Sequence, residues 1–343
     1  MRLSAATSAI IGLMSTLDLR LITATDYFEL LKKSIPAAKS RIVINAMGIL
    51  WGPRTEQLVP LLKDAAERGV EVRLVGDIFS KVEANIPRLH RKDGTPKWSH
   101  SLAVNTELRD AGAHITYVGK IGLNPFKGRS HSKVTVIDDL VCTFGGVNFT
   151  SGSFDNHDYM LTATDSVLAD RLYALVRDIE KDGRMIDRDE SLGNGNRLLF
   201  DGGTPGSSAI YDAACDMVAT AKKVYYVSQM CPTGRLAKLL TATENYCYFI
   251  RPSQAEPPLS VALPVDRLFS HITNQYKGKR YIHAKFILCE DKDGTKRLVS
   301  GSNNYSWRGI AYGTREIALS SSDPKLWESF YKYMQQEIQT VAG

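Results

Sequence analysis

Two short stretches hold the residues best suited to chemistry. In the first, His131 and Lys133 stand two apart, Asp138 follows, and Gly145, Gly146 and Asn148 come after it. The pattern, His-x-Lys-x4-Asp and then Gly-Gly-x-Asn, recurs near the other end as His283, Lys285 and Glu290, followed by Gly301, Ser302 and Asn304. In extended backbone, side chains two apart leave the same face, so each His and Lys point together while Asp138 and Glu290 point away. The two motif acids are therefore expected to fix a strand end or a neighbouring turn and not to touch a reacting atom. The chain has seven His, and a chance His-x-Lys-x4-acid is expected roughly 0.05 times in a chain of this size. Two copies, each followed by a small-residue turn and an Asn, are not an accident of composition.

Two imidazoles, two ammonium groups and two carboxamides in one place suit a phosphodiester. One imidazole attacks phosphorus and forms a covalent phosphohistidine. The other protonates the leaving oxygen and then takes a proton from the incoming water or alcohol. Lys133, Lys285, Asn148 and Asn304 donate to the non-bridging oxygens, where charge gathers in the transition state. Such a site requires no metal and no cofactor, and the sequence shows no carboxylate cluster for one.

This arrangement resembles the phospholipase D superfamily, whose signature is two HKD motifs meeting in one active site. The surroundings of the motifs are duplicated too, so the resemblance covers most of the chain. It implies an α/β fold of two pseudo-symmetric domains, 1–190 and 191–343, each a mixed β-sheet flanked by helices, with the active site at the seam. It also implies metal-independent hydrolysis or transfer, with His131 as nucleophile and His283 as acid and base. In this family an acid downstream of each motif orients the His, which implies Asp158 for His131 and Glu316 for His283. Glu290 departs from the family's Asp. The segment Phe144–Asn148 looks most like the cardiolipin synthase branch, which implies a phospholipid substrate and a phosphatidyltransferase or phospholipase D. The family also contains nucleases, so DNA or RNA is the alternative substrate. A degenerate pair serving as an inactive phosphate-binding scaffold is the third reading.

Composition is ordinary for a soluble globular protein. The 343 residues are 43% hydrophobic and 23% charged, enough for two domain-sized cores. A net charge of +6 favours anionic partners, either a phospholipid surface or nucleic acid, and equally suits a basic surface kept for solubility; the resemblance puts the phospholipid surface first. Five Cys without a C-x-x-C spacing point to a reducing compartment and no zinc site. Met1–Leu17 is mildly apolar but too short and too interrupted to span a membrane, and is read as a docking segment. The expected location is cytoplasmic, peripheral on the inner membrane face. The loops Ile121–Arg129 and Leu259–Lys279 offer Leu, Phe, Lys and Arg to such a surface.

Periodicity places the motifs. A helix N-capped by Asp26 precedes a strand at Arg41–Asn45, a helix at Glu56–Arg68 and a strand at Val70–Val75, the spacing of a parallel β-α-β unit. Lys81–Lys97 reads as an irregular insertion, Asn105–Gly112 as a helix and His114–Val118 as a strand. Ser151–Asp158 reads as a loop, Ser166–Asp182 as a helix and Lys181–Asn196 as the linker. The second half repeats the order with a helix at Ser208–Ala221, strands at Lys223–Ser228 and Tyr246–Ile250, an insertion at Ser253–Gly278 and a closing helix at Trp327–Ile338. Trp51, Phe126, Phe269, Tyr276 and Tyr281 are candidates to line the substrate mouth. His90, His100, His114 and His271 lack any such context.

Overall fold

A computed structural model describes residues 17–85, 98–123, 127–255 and 259–339. The first sheet contains β1 (Arg20–Thr23), β2 (Arg41–Ala46), β3 (Glu71–Asp77), β4 (His114–Val118), β5 (Val134–Ile137), β6 (Leu140–Thr143) and β7 (Tyr159–Thr164). Their spatial order is β1-β7-β6-β5-β2-β3-β4. The second contains β8 (Arg188–Gly193), β9 (Asn196–Gly202), β10 (Ala221–Val227), β11 (Glu244–Tyr248), β12 (Phe286–Asp291), β13 (Lys296–Gly301) and β14 (Arg315–Ser321), in the order β11-β10-β12-β13-β14-β9-β8. Strands joined by helical crossovers, β2-β3-β4 and β10-β11, run parallel. The hairpin-linked neighbours are antiparallel, so both sheets are mixed.

The two orders superimpose when β2 is matched to β10, β3 to β11, β5 to β12, β6 to β13, β7 to β14 and β1 to β9. Among the described residues β4 has no strand counterpart; a single bridge between Cys247 and Asn274 stands in its place. β8 is extra, and it begins inside the stretch expected to be a linker because Asn194 and Gly195 close a tight hairpin with β9. That hairpin straddles the expected boundary at 190/191 and belongs wholly to the second sheet.

The helices are α1 (Ala24–Ser34), α2 (Val59–Glu67), α3 (Phe79–Asn85), α4 (Trp98–Asp110), α5 (Ser166–Glu180), α6 (Ala209–Thr220), α7 (Gly234–Thr241), α8 (Leu259–Ser270), α9 (Trp307–Tyr312) and α10 (Pro324–Tyr333), the last running into a π-helical turn, Met334–Gln339. α1, α2 and α4 cover the outer face of the first sheet, and α6 and α7 that of the second. The inner faces of both sheets share one core with α5 and α10. Val134, Val136 and Phe144 from one side meet Phe286, Leu288 and Leu298 from the other, around Trp327 and Phe330. Burying a side chain of this size contributes about 1.5–3 kcal/mol, so the halves are held as one body by the same residues that build each sheet.

Several local expectations are corrected. Thr23, not Asp26, caps α1: its hydroxyl accepts from Asp26 N at 3.2 Å and donates to Asp26 Oδ2 at 2.8 Å. The expected loop after Asn148 contains a 3-10 turn, Ser151–Asp155, and the expected insertion before the second motif contains α8. α3 occupies the first part of the Lys81–Lys97 stretch; the rest of that stretch, with His90, lies outside the described residues, as do residues 1–16 and Phe126.

Candidate active site

The two motifs enter the seam along the same kind of path. His131 N donates to Arg315 O at 2.8 Å, and Arg315 N donates to Arg129 O at 2.8 Å. On the other side His157 N donates to Tyr281 O at 2.8 Å, and His283 N donates to His157 O at 2.9 Å. Each motif is thus paired in parallel with the residue just before the other half's downstream acid. The side chains follow the backbone. His131 Nδ1 meets Glu316 Oε2 at 2.9 Å, and His283 Nδ1 meets Asp158 Oδ2 at 2.7 Å. The expected pairs, Asp158 with His131 and Glu316 with His283, are therefore corrected: the acids are exchanged between halves. An ionised carboxylate only accepts, so each imidazole carries its proton on Nδ1 and keeps the Nε2 lone pair free.

Glycine at the turn after each motif lets the acid-bearing strand close in. A Cβ on Gly145 would lie 2.0 Å from Tyr159 O, and one on Gly301 would lie 2.3 Å from Ile317 O. Both contacts are with backbone, so no side chain fits. The next position differs between halves. Gly146 packs against the Asp158 carboxylate and His283 O, whereas Ser302 donates through Oγ to Glu316 Oε2 and accepts from Ile317 N. Ser302 belongs to the second motif's turn by spacing, but nothing in the sequence assigns it a role; its contact with Glu316 supplies one.

The lysines lie fully inside. Lys133 Nζ donates to His131 O at 2.5 Å and Lys285 Nζ to His283 O. Burial pushes Lys133 down to about 7, helped by the charge of Lys285 and opposed by Glu316 and Asp158. Burial likewise lowers Lys285 to about 8. His283 is pushed down to about 4 by burial and by Lys285, against the pull of Asp158, and His131 is lowered by burial and Lys133 against Glu316. Burial alone would raise Glu316, but His131, Lys133 and Ser302 outweigh it and hold it low. Lys285 acts on His131 and Lys133 acts on His283, so the seam brings both motifs within reach of each other's charge.

The two asparagines follow the turns after the motifs. Asn148 Oδ1 accepts from Gly48 N at 3.4 Å. The Asn304 carbonyl accepts from Tyr226 and Ser228 at 3.3 Å, while its side-chain oxygen is buried without a hydrogen-bond partner. Asp138 stands away from the chemistry, as its parity requires: its carboxylate accepts from the backbone of Lys39, Ser40 and Arg41 and from Ser40 Oγ. Glu290 holds no such turn. It lies in register between Lys223 and Lys296, and the equivalent joint is tied by Arg297, which donates to Asp291 Oδ1, Met217 O and Thr220 Oγ1. Glu in place of Asp at this motif position therefore changes a surface joint.

Of the aromatic candidates, Trp51 is core and donates from Nε1 to Asn105, and Tyr276 is buried and donates to Arg280 O. Tyr281 stands at the seam beside His157 and Gln229. The side chain of Phe269 lies outside the described residues. His100 pairs with Glu56, and His114 and His271 are exposed. His157 is buried beside Glu337 at 3.3 Å and takes no part in either dyad. Among the described residues no cluster of three or more metal-ligating side chains occurs, and no helix is long and apolar enough to cross a membrane.

Residues 31–179 match the family model described as cardiolipin synthase, PLD-like domain. No curated protein matches. Among solved structures, phosphatidylserine synthase of Haemophilus influenzae Rd KW20 is 15% identical with a TM-score of 0.69, over 98% of this chain and 91% of that one. Polyphosphate kinase from Porphyromonas gingivalis is 12% identical with a TM-score of 0.60, over 92% of this chain and 46% of that one. Nuc from Salmonella typhimurium, a phospholipase D family member, is 21% identical with a TM-score of 0.36, over 49% of this chain and 96% of that one. Residues 31–179 are thus similar to a phospholipase D-like domain, and the two mixed sheets of the whole chain share the fold of the phosphatidylserine synthase.

Proposed function

We propose that the seam is the active site of a metal-independent phosphatidyltransferase or phospholipase D. The observation that carries the chemistry is the exchanged pair of dyads, which ties up both Nδ1 atoms and leaves both Nε2 atoms available beside two buried lysines that each act on the other motif's His. With the diester bound, His283 is the imidazolium, protonated on both ring nitrogens: His131 Nε2 attacks phosphorus, the bond to the headgroup oxygen breaks, and that oxygen takes the proton from His283 Nε2. Water or an alcohol then gives its proton to His283 and displaces the imidazole, which restores His131. Lys133, Lys285, Asn148 and Asn304 donate to the non-bridging oxygens in both steps. A bound diester adds negative charge beside His283 and the lysines, which raises the proton affinity that burial lowers.

A phospholipid is favoured by what surrounds the mouth. Five of the eight large apolar side chains that are exposed among the described residues lie on three connectors next to the site: Ile121 and Leu123, Val265 and Leu268 on α8, and Trp307 on α9. The first connector leads into His131, α8 leads into the second motif, and α9 joins Asn304 to Glu316. Contacts tie them together, with Gly128 N donating to Tyr312 O at 2.9 Å and Arg308 Nη2 to Asp266 at 2.9 Å. Exposed Lys120, Lys127, Arg267, Lys277 and Lys279 accompany them. Apolar anchors amid cations suit an anionic bilayer.

The test is product analysis by mass spectrometry with vesicles of phosphatidylglycerol and phosphatidylethanolamine in EDTA, with His131→Ala in parallel. Cardiolipin or phosphatidic acid from the wild type alone supports the reading, and their ratio tells alcohol from water as acceptor. Cleavage of single-stranded DNA without lipid product assigns a nuclease. Phosphate binding that needs no His131 and yields no product assigns a scaffold.

A further inference from the structure

Asp201 lies near the end of β9, in register opposite Glu316 on β14. Side chains opposite one another leave the same face, with Cβ atoms about 5 Å apart, so a second carboxylate stands beside the acid that holds His131. Asp201 is buried, and its hydrogen bonds come from neutral donors: Ser208 Oγ at 2.6 Å, Ile210 N at 3.1 Å and Asn303 Nδ2 at 3.4 Å. No cation pairs with it among the described residues; Arg315, in the next register pair, is engaged by Asp182 and Gly183 O. Asn303 follows Ser302, whose hydroxyl donates to Glu316, and its Oδ1 accepts from Tyr305 N at 2.6 Å. Tyr305 has a φ of 51°, in the left-handed region that an aromatic residue rarely adopts, so this turn needs an anchor. The first half is built differently. Gly146 stands where Ser302 does and Val147 where Asn303 does, and Ala24, which gives its N–H to Asp158 O at 2.9 Å, has no carboxylate to offer.

We propose that Asp201 is a positioning residue, which holds the His131–Glu316 dyad in place through the turn Ser302–Tyr305. It does so as a neutral acid. This rests on the dyads being the reacting groups, and deepens that reading by giving one of them a support the other lacks. Two ionised carboxylates packed side by side repel. Glu316 keeps its charge because His131, Lys133 and Ser302 hold it. Burial pushes Asp201 up to about 7; Glu316 and Asp187 add to the push, and Ser208 and Ile210 N oppose it. A neutral Asp201 leaves Glu316 as the one negative charge against His131 Nδ1. An ionised one pushes on Glu316 and favours a second proton on the ring, which would occupy the Nε2 lone pair.

The test reads the imidazoles directly and needs no substrate. Histidine side chains are labelled with nitrogen-15 in the wild type, Asp201→Asn and Asn303→Val, and the ring nitrogens are followed by NMR across neutral pH. Asp201→Asn imitates the neutral acid at every pH, and Asn303→Val gives the turn the residue of the first half. The wild type should show a step near pH 7 at His131 that Asp201→Asn abolishes, with the His283 curve the same in both. Titration of the lysines is common to both proteins and cancels in the comparison. Asn303→Val should weaken the Nδ1–H tautomer at His131 and spare His283. In turnover, the first burst from a p-nitrophenyl diester should fall roughly two- to tenfold in Asn303→Val, the worth of one neutral hydrogen bond. Above pH 7 it should fall less steeply in Asp201→Asn than in the wild type. A His131 step that survives Asp201→Asn, or equal changes at both imidazoles, overturns the inference. Asp201→Asn barely alters packing, so it decides the matter even if Asn303→Val does not fold. A protein inactive on every diester loses the catalytic reading, while the NMR outcomes still uphold or overturn this one.

Discussion

The exchange of acids makes a prediction that neither half alone would make. Glu316→Gln should disable His131, and Asp158→Asn should disable His283, although each acid belongs to the other half of the chain. Glu316 is buried, and its Oε2 accepts from both His131 Nδ1 and Ser302 Oγ. A neutral amide in its place replaces a hydrogen bond to a charged group, about 1.5–3 kcal/mol, by a neutral one of about 0.5–1.5. If the amide NH2 turns toward the ring, the proton must move to Nε2, and the lone pair facing phosphorus is lost. Loss of the correct tautomer in a comparable carboxylate–imidazole pair lowers kcat about 10⁴-fold, equivalent to about 5.5 kcal/mol. The assay compares two diesters, one with an alkyl leaving group and one with p-nitrophenolate. A good leaving group needs no proton, so it rescues the first-turnover burst of a variant whose acid/base is damaged and not that of one whose nucleophile is damaged. Glu316→Gln should follow His131→Ala on both substrates, and Asp158→Asn should follow His283→Ala. If Asp158→Asn instead tracks His131→Ala, the exchanged dyads do not operate, whichever His is the nucleophile.

Other outcomes follow from burial, charge and exposure. Lys133 and Lys285 have folded values near 7 and 8, below the free lysine value, so the empty site loses positive charge as pH rises through that window; kcat/KM should fall there, and diester binding at pH 8 should take up protons, measurable calorimetrically in buffers of different ionisation enthalpy. The same depression means that burial opposes the charged form, so Lys285→Met should abolish turnover yet stabilise the fold, by on the order of 1 kcal/mol, seen as a raised Tm, and a large fall in Tm would show that the ammonium stabilises the fold. Asp138→Ala removes four hydrogen bonds from the turn before β2 and should cost about 2–3 kcal/mol in urea unfolding while leaving kcat within about twofold, since nothing reactive touches it. Asp138 is held down at about 2, because its hydrogen-bond donors outweigh burial; that stability is present above the ordinary carboxylate value and is lost as pH falls toward 2. Leu123→Ser with Trp307→Ser should reduce turnover of vesicles by an order of magnitude or more, at about 1.5–3 kcal/mol of lost insertion per side chain, and should spare a soluble diester.

What the sequence made legible and what it hid have one physical origin. The two motifs, their duplication and the parallel β-α-β units are local patterns of period and spacing, and the sheets reproduce them. The idle role of Asp138 was legible for the same reason, because parity along a strand is local. The partners of Asp158 and Glu316 were not. Their distances along the chain from His131 and His283 suggest pairing within a half, but the chain reaches its reactive atoms only where Arg315 and His157 bridge to the opposite motif. Such a bridge leaves no periodicity, since it is one residue long and joins segments far apart in sequence. The exchange also has a consequence for folding. A separated half would keep a His and a Lys without the carboxylate that orients the ring, and would expose Val134, Val136 and Phe144, or Phe286 and Leu288, to water. Neither half can form an oriented imidazole alone, so the catalytic geometry and the shared apolar core must appear together. Activity regained during refolding should therefore follow burial of the seam and not the formation of either sheet.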